Sequence, residues 1–232
     1  MADKSGKWSE NRGMSRLRDF WNSLVGKKMI MAVTGVILTL FVLGHLVGNL
    51  LVFAGPKPFN DYSHFLKHQV IEILWIVRIV LLLSLVLHVV ASIQVSLANR
   101  RARPVSYAVK ENIETTYAAR TMIWSGPLLF LYIVYHLMMF TFLTTGPGYS
   151  TSDVYRNVVV SFRVPAICAV YAASMVLLGL HLYHGAWSMA HTLGAGTPRY
   201  RFLRRAAAPL FAGAVTLGYI LIPASVLLGW VS

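Results

Sequence analysis

Apolar residues arrive in five long blocks, at roughly 29–53, 70–98, 121–145, 163–192 and 207–231, separated by shorter stretches that hold most of the charge. A helix rises about 1.5 Å per residue, so each block can cross a hydrocarbon core of about 30 Å. The pattern predicts an all-α polytopic membrane protein, a five-transmembrane-helix bundle occupying 29–232 as one domain. Residues 1–28 are polar and basic, with no apolar core and small-residue cleavage site, so they read as a cytoplasmic tail and not as a secretory signal. Within the tail, Leu17, Phe20, Trp21 and Leu24 recur at helical spacing with Arg16, Arg18 and Asp19 between them, which predicts an amphipathic helix at the membrane interface.

Composition agrees with that pattern: 56% of the 232 residues are hydrophobic and only 12% charged. Charge this sparse cannot cover an ordinary soluble surface. The net charge of +13 therefore speaks of topology and not of nucleic acid. Lys and Arg number 7 in the tail, 5 in 99–120 and 4 in 193–206, all on one side if the five blocks cross. The other side holds only Lys57, Lys67, Arg156 and Arg163. The positive-inside rule then puts the N-terminus in the cytoplasm and Ser232 outside. Trp75, Trp124, Trp187 and Trp230 lie near block ends, as an aromatic belt requires. The single cysteine, Cys168, excludes a disulfide framework, a Cys-ligated cluster and thioether-linked haem within this chain.

Ionisable side chains inside apolar blocks are expensive and mark function by default. His45 follows Lys28 by 17 residues and His136 follows Arg120 by 16, in blocks running outward. His88 follows Val70 by 18 and His181 follows Arg163 by 18, in blocks running inward. These offsets put His45 with His136 in the outer half and His88 with His181 in the inner half, in layers roughly 10 Å apart along the membrane normal. A lone intramembrane histidine is often only an interhelical hydrogen-bonder. Two depth-matched pairs suggest instead two b-type haems, each iron held by opposed imidazoles with no covalent link.

Arg78, eight residues into the second block, needs an anion or a route to water. Propionates of an outer haem would supply the anion, with Arg163 assisting; snorkelling to the surface is the alternative. On the inner side Lys27, Lys28, Arg100 and Arg101 suit the same task. His184 is a possible competing ligand one turn from His181, His191 lies at the interface, and Gly35, Gly44, Gly48, Gly179 and Gly185 allow close approach of a macrocycle or neighbouring helix.

Ser23-Leu24-Val25-Gly26-Lys27-Lys28, His45-Leu46-Val47-Gly48-Asn49, Phe59-Asn60-Asp61-Tyr62 and Asn99-Arg100-Arg101-Ala102-Arg103-Pro104 together make a recognisable set. Thr121-Met122-Ile123-Trp124-Ser125-Gly126 and His181-Leu182-Tyr183-His184-Gly185-Ala186-Trp187-Ser188 extend it. Over about residues 20–195 the chain resembles the cytochrome b558 membrane-anchor subunit of bacterial succinate dehydrogenase or fumarate reductase. The resemblance implies a two-haem anchor in the bacterial cytoplasmic membrane, holding a flavoprotein and an iron–sulfur protein on its cytoplasmic face. It implies electron transfer between that iron–sulfur partner and a quinone, typically menaquinone. Its axial ligands fall on His45, His88, His136 and His181 in the same pairing. FAD and iron–sulfur clusters belong to the partners, since Gly146-Pro147-Gly148 and Gly194-Ala195-Gly196 lack the strand and helix of a dinucleotide site.

Quinone chemistry needs proton exchange, for which Asp61, Tyr62, His64 and Glu72 are outer candidates and Ser23, Trp124 and Tyr183 inner ones. Two other readings fit the histidines. One is the cytochrome b of a hydrogenase or formate dehydrogenase, and the other a haem-free proton-coupled transporter using a histidine relay.

Overall fold

A computed structural model describes residues 15–16, 18–102, 117–194 and 206–232 of the chain. Among them there is no strand. The helices are α1 (Leu24–Leu50, prolonged by a 3₁₀ turn Leu51–Ala54), α2 (Pro56–His64), α3 (Ile71–Arg101), α4 (Tyr117–Phe140), α5 (Val154–Phe162), α6 (Pro165–Thr192) and α7 (Ala208–Leu227). Five of these, α1 with its extension, α3, α4, α6 and α7, are long and apolar enough to cross a membrane. The expected interfacial helix runs through Leu17 and so lies in part outside the described residues, as do the basic residues before 15 and those at 103–116 and 195–205.

Local chemistry sets the boundaries. α1 begins at Leu24, before the expected 29, because the Ser23 side chain caps it by accepting from Gly26 N at 2.9 Å. Lys27 and Lys28 are thus inside the helix. α4 stops at Phe140, short of the expected 145: Thr144 N donates back to Met138 O and Leu143 turns left-handed at φ 54°. Gly55, at φ 96°, turns the chain into α2, whose first residue is Pro56.

α6 and α7 pack closely, as do α1 with α3 and α4 with α6; α1 also meets α6 and α7. α3 and α4 therefore lie on opposite flanks of a central α1–α6–α7 unit. The largest buried core sits at one end, where Val52, Phe59, Met139, Tyr155, Val158, Phe162 and Val226 pack together. The short helices α2 and α5 close this end. They are pinned by Asn60, which donates from Nδ2 to Asp153 and accepts from Tyr155 N at 3.0 Å. Most of α3 shows large apolar side chains on its surface, from Ile73 to Leu97, as a lipid-facing helix must.

Candidate cofactor-binding site

The four intrahelical histidines come together as two pairs. His45 on α1 and His136 on α4 stand 5.9 Å apart between ring centres, near the capped end. His88 on α3 and His181 on α6 stand 6.2 Å apart, farther along the bundle. Gly35, whose missing side chain would lie 3.5 Å from the His88 ring, precedes His45 by ten residues on α1. Ten residues are about 15 Å of helix, so the pairs form separate layers.

Neither pair is made by two helices that pack along their lengths. α1 reaches α4, and α3 reaches α6, chiefly through side chains, while the close backbone packing joins α1 to α3 and α4 to α6. All four imidazoles are half-buried.

Hydroxyls hold one ring of each pair. His88 Nδ1 is 3.1 Å from Thr34 Oγ1, and His136 Nδ1 is 3.2 Å from Tyr171 Oη. His181 Nδ1 is buried with no hydrogen-bond partner. Aromatic rings enclose the pair near the cap: Phe41 stacks on His45 at 5.2 Å, Tyr219 lies 6.3 Å from it, and Tyr132 and Phe140 flank His136 at 5.9 and 5.5 Å.

This arrangement suits a metal that brings its own equatorial ligands. Ring centres about 6 Å apart leave room for one metal ion at about 2 Å from a nitrogen of each ring, a spacing both pairs have. An imidazole turns freely about such a bond, so interplanar angles of 85° and 53° are both admissible. Among the described residues no three His, Cys, Asp or Glu side chains converge, so each pair offers two axial donors only. The residues present fit a bis-imidazole haem.

Two cavities adjoin the His45–His136 layer. One, of about 260 Å³, lies between α1 and α3 and is lined by Ile37, Phe41, Ile76, Val77, Val80 and Leu81. The other, of about 90 Å³, lies between the capped ends of α3 and α4, lined by Lys67, Arg78, Thr141, Ser150, Thr151 and Asn157 among others. Its walls include Phe140, which touches the His136 ring, and two cations but no carboxylate. Arg78 also lies over the Trp75 ring at 5.1 Å. Arg163 is not in that wall; it is exposed at the C-terminus of α5.

The remaining sequence candidates are spread out. Asp61 is paired with Lys57 at 2.6 Å, which raises the Lys57 pKa through the hydrogen bond and charge. Tyr62 covers Gly48 on α1. His64 stacks on His68 at 4.3 Å, and Glu72 is exposed in the first turn of α3. Ser23 is engaged at both its donor and acceptor, giving to Phe20 O and taking from Gly26 N. Trp124 is exposed and Tyr183 is half-buried beside the α6–α7 contact. Lys27 reaches the Asn22 carbonyl, while Lys28, Arg100 and Arg101 are exposed. His184 is half-buried on α6, and His191 packs on Trp187 at 5.5 Å. Gly179 and Gly48 serve close packing, against Thr216 and Tyr62, whereas Gly44 and Gly185 face open space.

Thr34 and Tyr171 are the site residues that sequence reasoning missed. Their signal was a hydroxyl in an apolar block, at a depth shared with a histidine on another helix.

Comparison with protein-family models, with curated proteins and with solved structures finds no match.

Proposed function

We propose that this chain is the two-haem membrane anchor of a succinate dehydrogenase or fumarate reductase, joining soluble flavoprotein and iron–sulfur subunits to a membrane quinone. The observation that carries the reading is the pair of opposed-histidine layers, His45 with His136 and His88 with His181, each at the ring separation of two axial ligands. The sequence resemblance supplies the choice among haem-bearing anchors.

When bound, b-type haems supply two one-electron couples stacked across the bilayer. The chain's own residues do the rest. His45, His88, His136 and His181 would hold the irons, and the helices around them keep lipid and water away. Arg78 and Lys67, in a cavity beside His136, would neutralise carboxylates at the capped end, the outer end by the positive-inside count. The basic tail and loops form the cytoplasmic docking face for partner subunits. Menaquinone or a related quinone exchanges protons near the outer layer, where Asp61, Tyr62, His64 and Glu72 lie in one short stretch of chain.

The test is a reduced-minus-oxidised spectrum of the purified protein with its haem-to-protein ratio, repeated for His45→Ala and His88→Ala. Two b haems per chain are expected, with each variant losing a different one. A colourless, intact wild-type protein overturns the reading and favours a transporter or a haem-free anchor. Co-purifying flavoprotein and iron–sulfur subunits separate the complex II assignment from a hydrogenase or formate dehydrogenase cytochrome.

A further inference from the structure

The two histidines held by hydroxyls are held differently. Thr34 is buried on α1, and its own hydrogen goes to the Ile30 carbonyl at 2.7 Å. With its proton given to that carbonyl the hydroxyl accepts from His88, which puts the hydrogen on Nδ1 of His88 and the lone pair on Nε2; the Met31 carbonyl is a second acceptor beside the same ring. Tyr171 is also buried, and its hydrogen has two possible destinations. It can go to His136 Nδ1 at 3.2 Å, or to the thioether of Met139 at 3.3 Å. Imidazole nitrogen is the stronger acceptor. With Nε2 of His136 given to a metal, however, Nδ1 would carry the hydrogen and the phenol would turn its own to Met139.

We propose that Thr34 and Tyr171 are positioning residues that orient the His88 and His136 imidazoles and raise their basicity as ligands, each acting on one layer alone and Thr34 more strongly. The inference rests on the two-haem reading for what Nε2 binds. Its direction follows from the second hydrogen bonds. Donation to a carbonyl polarises the Thr34 hydroxyl and makes its oxygen a better acceptor, whereas donation to a thioether polarises Tyr171 little. A stronger acceptor at Nδ1 gives a more basic ligand, which favours ferric over ferrous iron. Both side chains are shielded from solvent, so water does not replace either hydroxyl.

The experiment is a redox titration of the haems in the purified complex, for wild type, Thr34→Val, Thr34→Ser and Tyr171→Phe, with haem content measured in each. Thr34→Val is expected to raise the potential of the His88–His181 haem alone. The size expected is about a tenfold change in the ferric-to-ferrous binding ratio, which is about 59 mV for one electron. Thr34→Ser keeps the hydroxyl and is expected to restore the wild-type value. Tyr171→Phe is expected to raise the other haem's potential, by less. Shifts shared by both haems, or none in a haem-replete Thr34→Val protein, overturn the proposal. If Thr34→Val loses its haem, Thr34→Ser decides: a serine variant that also loses it or departs from the wild-type potential overturns the proposal. A wild type without haem defeats the functional reading instead. The hydroxyl's role is then read from ¹⁵N spectra of the histidines, where an Nε2–H tautomer at His88 in wild type overturns it.

Discussion

Asp153 ties together three segments of the cap. Its Oδ1 accepts from Arg156 N and from Asn60 Nδ2, both at 2.9 Å, while its own N–H donates to Ser150 Oγ. The first of these bonds caps α5 and the second fastens α5 to α2. Bonds from Arg156 N and Asn60 hold the Asp153 carboxyl below its ordinary pKa near 3.8. Asp153→Ala is expected to destabilise the protein by about 1 kcal/mol, the usual cost of losing such a cap. The sign of the pH dependence follows from the depressed pKa. The carboxylate's contribution is complete above about 3.8 and disappears as pH falls through the lower folded value, so the gap between wild type and Asp153→Ala should close in strong acid. Thermal unfolding of both proteins in detergent, at neutral pH and at pH 3 and below, checks this. A gap that widens with acid refutes it. The neighbouring Lys57–Asp61 pair is exposed at both ends and adds little, because solvent screens it.

Among the described elements, α6 and α7 pack most extensively, and Gly179 sits where they meet. A Cβ there would collide with Thr216 Oγ1, and Thr216 is held in place by its bond to the Ala212 carbonyl at 2.7 Å. Gly179→Val should therefore force the helices apart at a cost of about 1–3 kcal/mol, whereas Gly213→Ala, which meets open space, should be neutral. Unfolding midpoints of the two variants measure the difference. The five long helices were legible in the sequence because hydrocarbon demands an unbroken apolar run, and nothing else in a chain looks like that. α2 and α5 were not, since nine residues of mixed polarity between turn signals read as loop. For α5 the clue was present: Val154, Tyr155, Val158, Val159 and Phe162 recur at helical spacing beneath an Asp153 cap. At the site, depth counting alone gave the histidine pairs that the structure brings together. Thr34 escaped it because a helical threonine normally satisfies itself on the carbonyl four residues back, as this one does with Ile30, and its second partner shows only in three dimensions.

At the scale of the whole molecule, orientation follows from the charge at and between the helix ends. Sixteen of the 21 Lys and Arg residues fall on the side of the tail and of the 99–120 and 193–206 loops, against four at the end bearing α2 and α5. An asymmetry of four to one leaves one orientation strongly favoured during insertion. That orientation puts the basic face and the cap over the His45–His136 layer on opposite sides of the membrane, as the proposed docking of soluble partners requires. Single cysteines test this in a Cys168→Ser background, where the replacement hydroxyl can keep the bond that Cys168 makes to the Pro223 carbonyl. Asn22, Lys57, Arg101 and Ser232 are all exposed positions. A membrane-impermeant maleimide is expected to label Lys57→Cys and Ser232→Cys in intact cells, and Asn22→Cys and Arg101→Cys only after permeabilisation. The reverse pattern would invert the molecule and place its basic face outside, where no cytoplasmic partner could dock. Labelling of Asn22→Cys and Ser232→Cys from the same side would mean that one long helix fails to cross. Attention would then turn to α7, the shortest at 20 residues, which spans about 30 Å and has no length to spare.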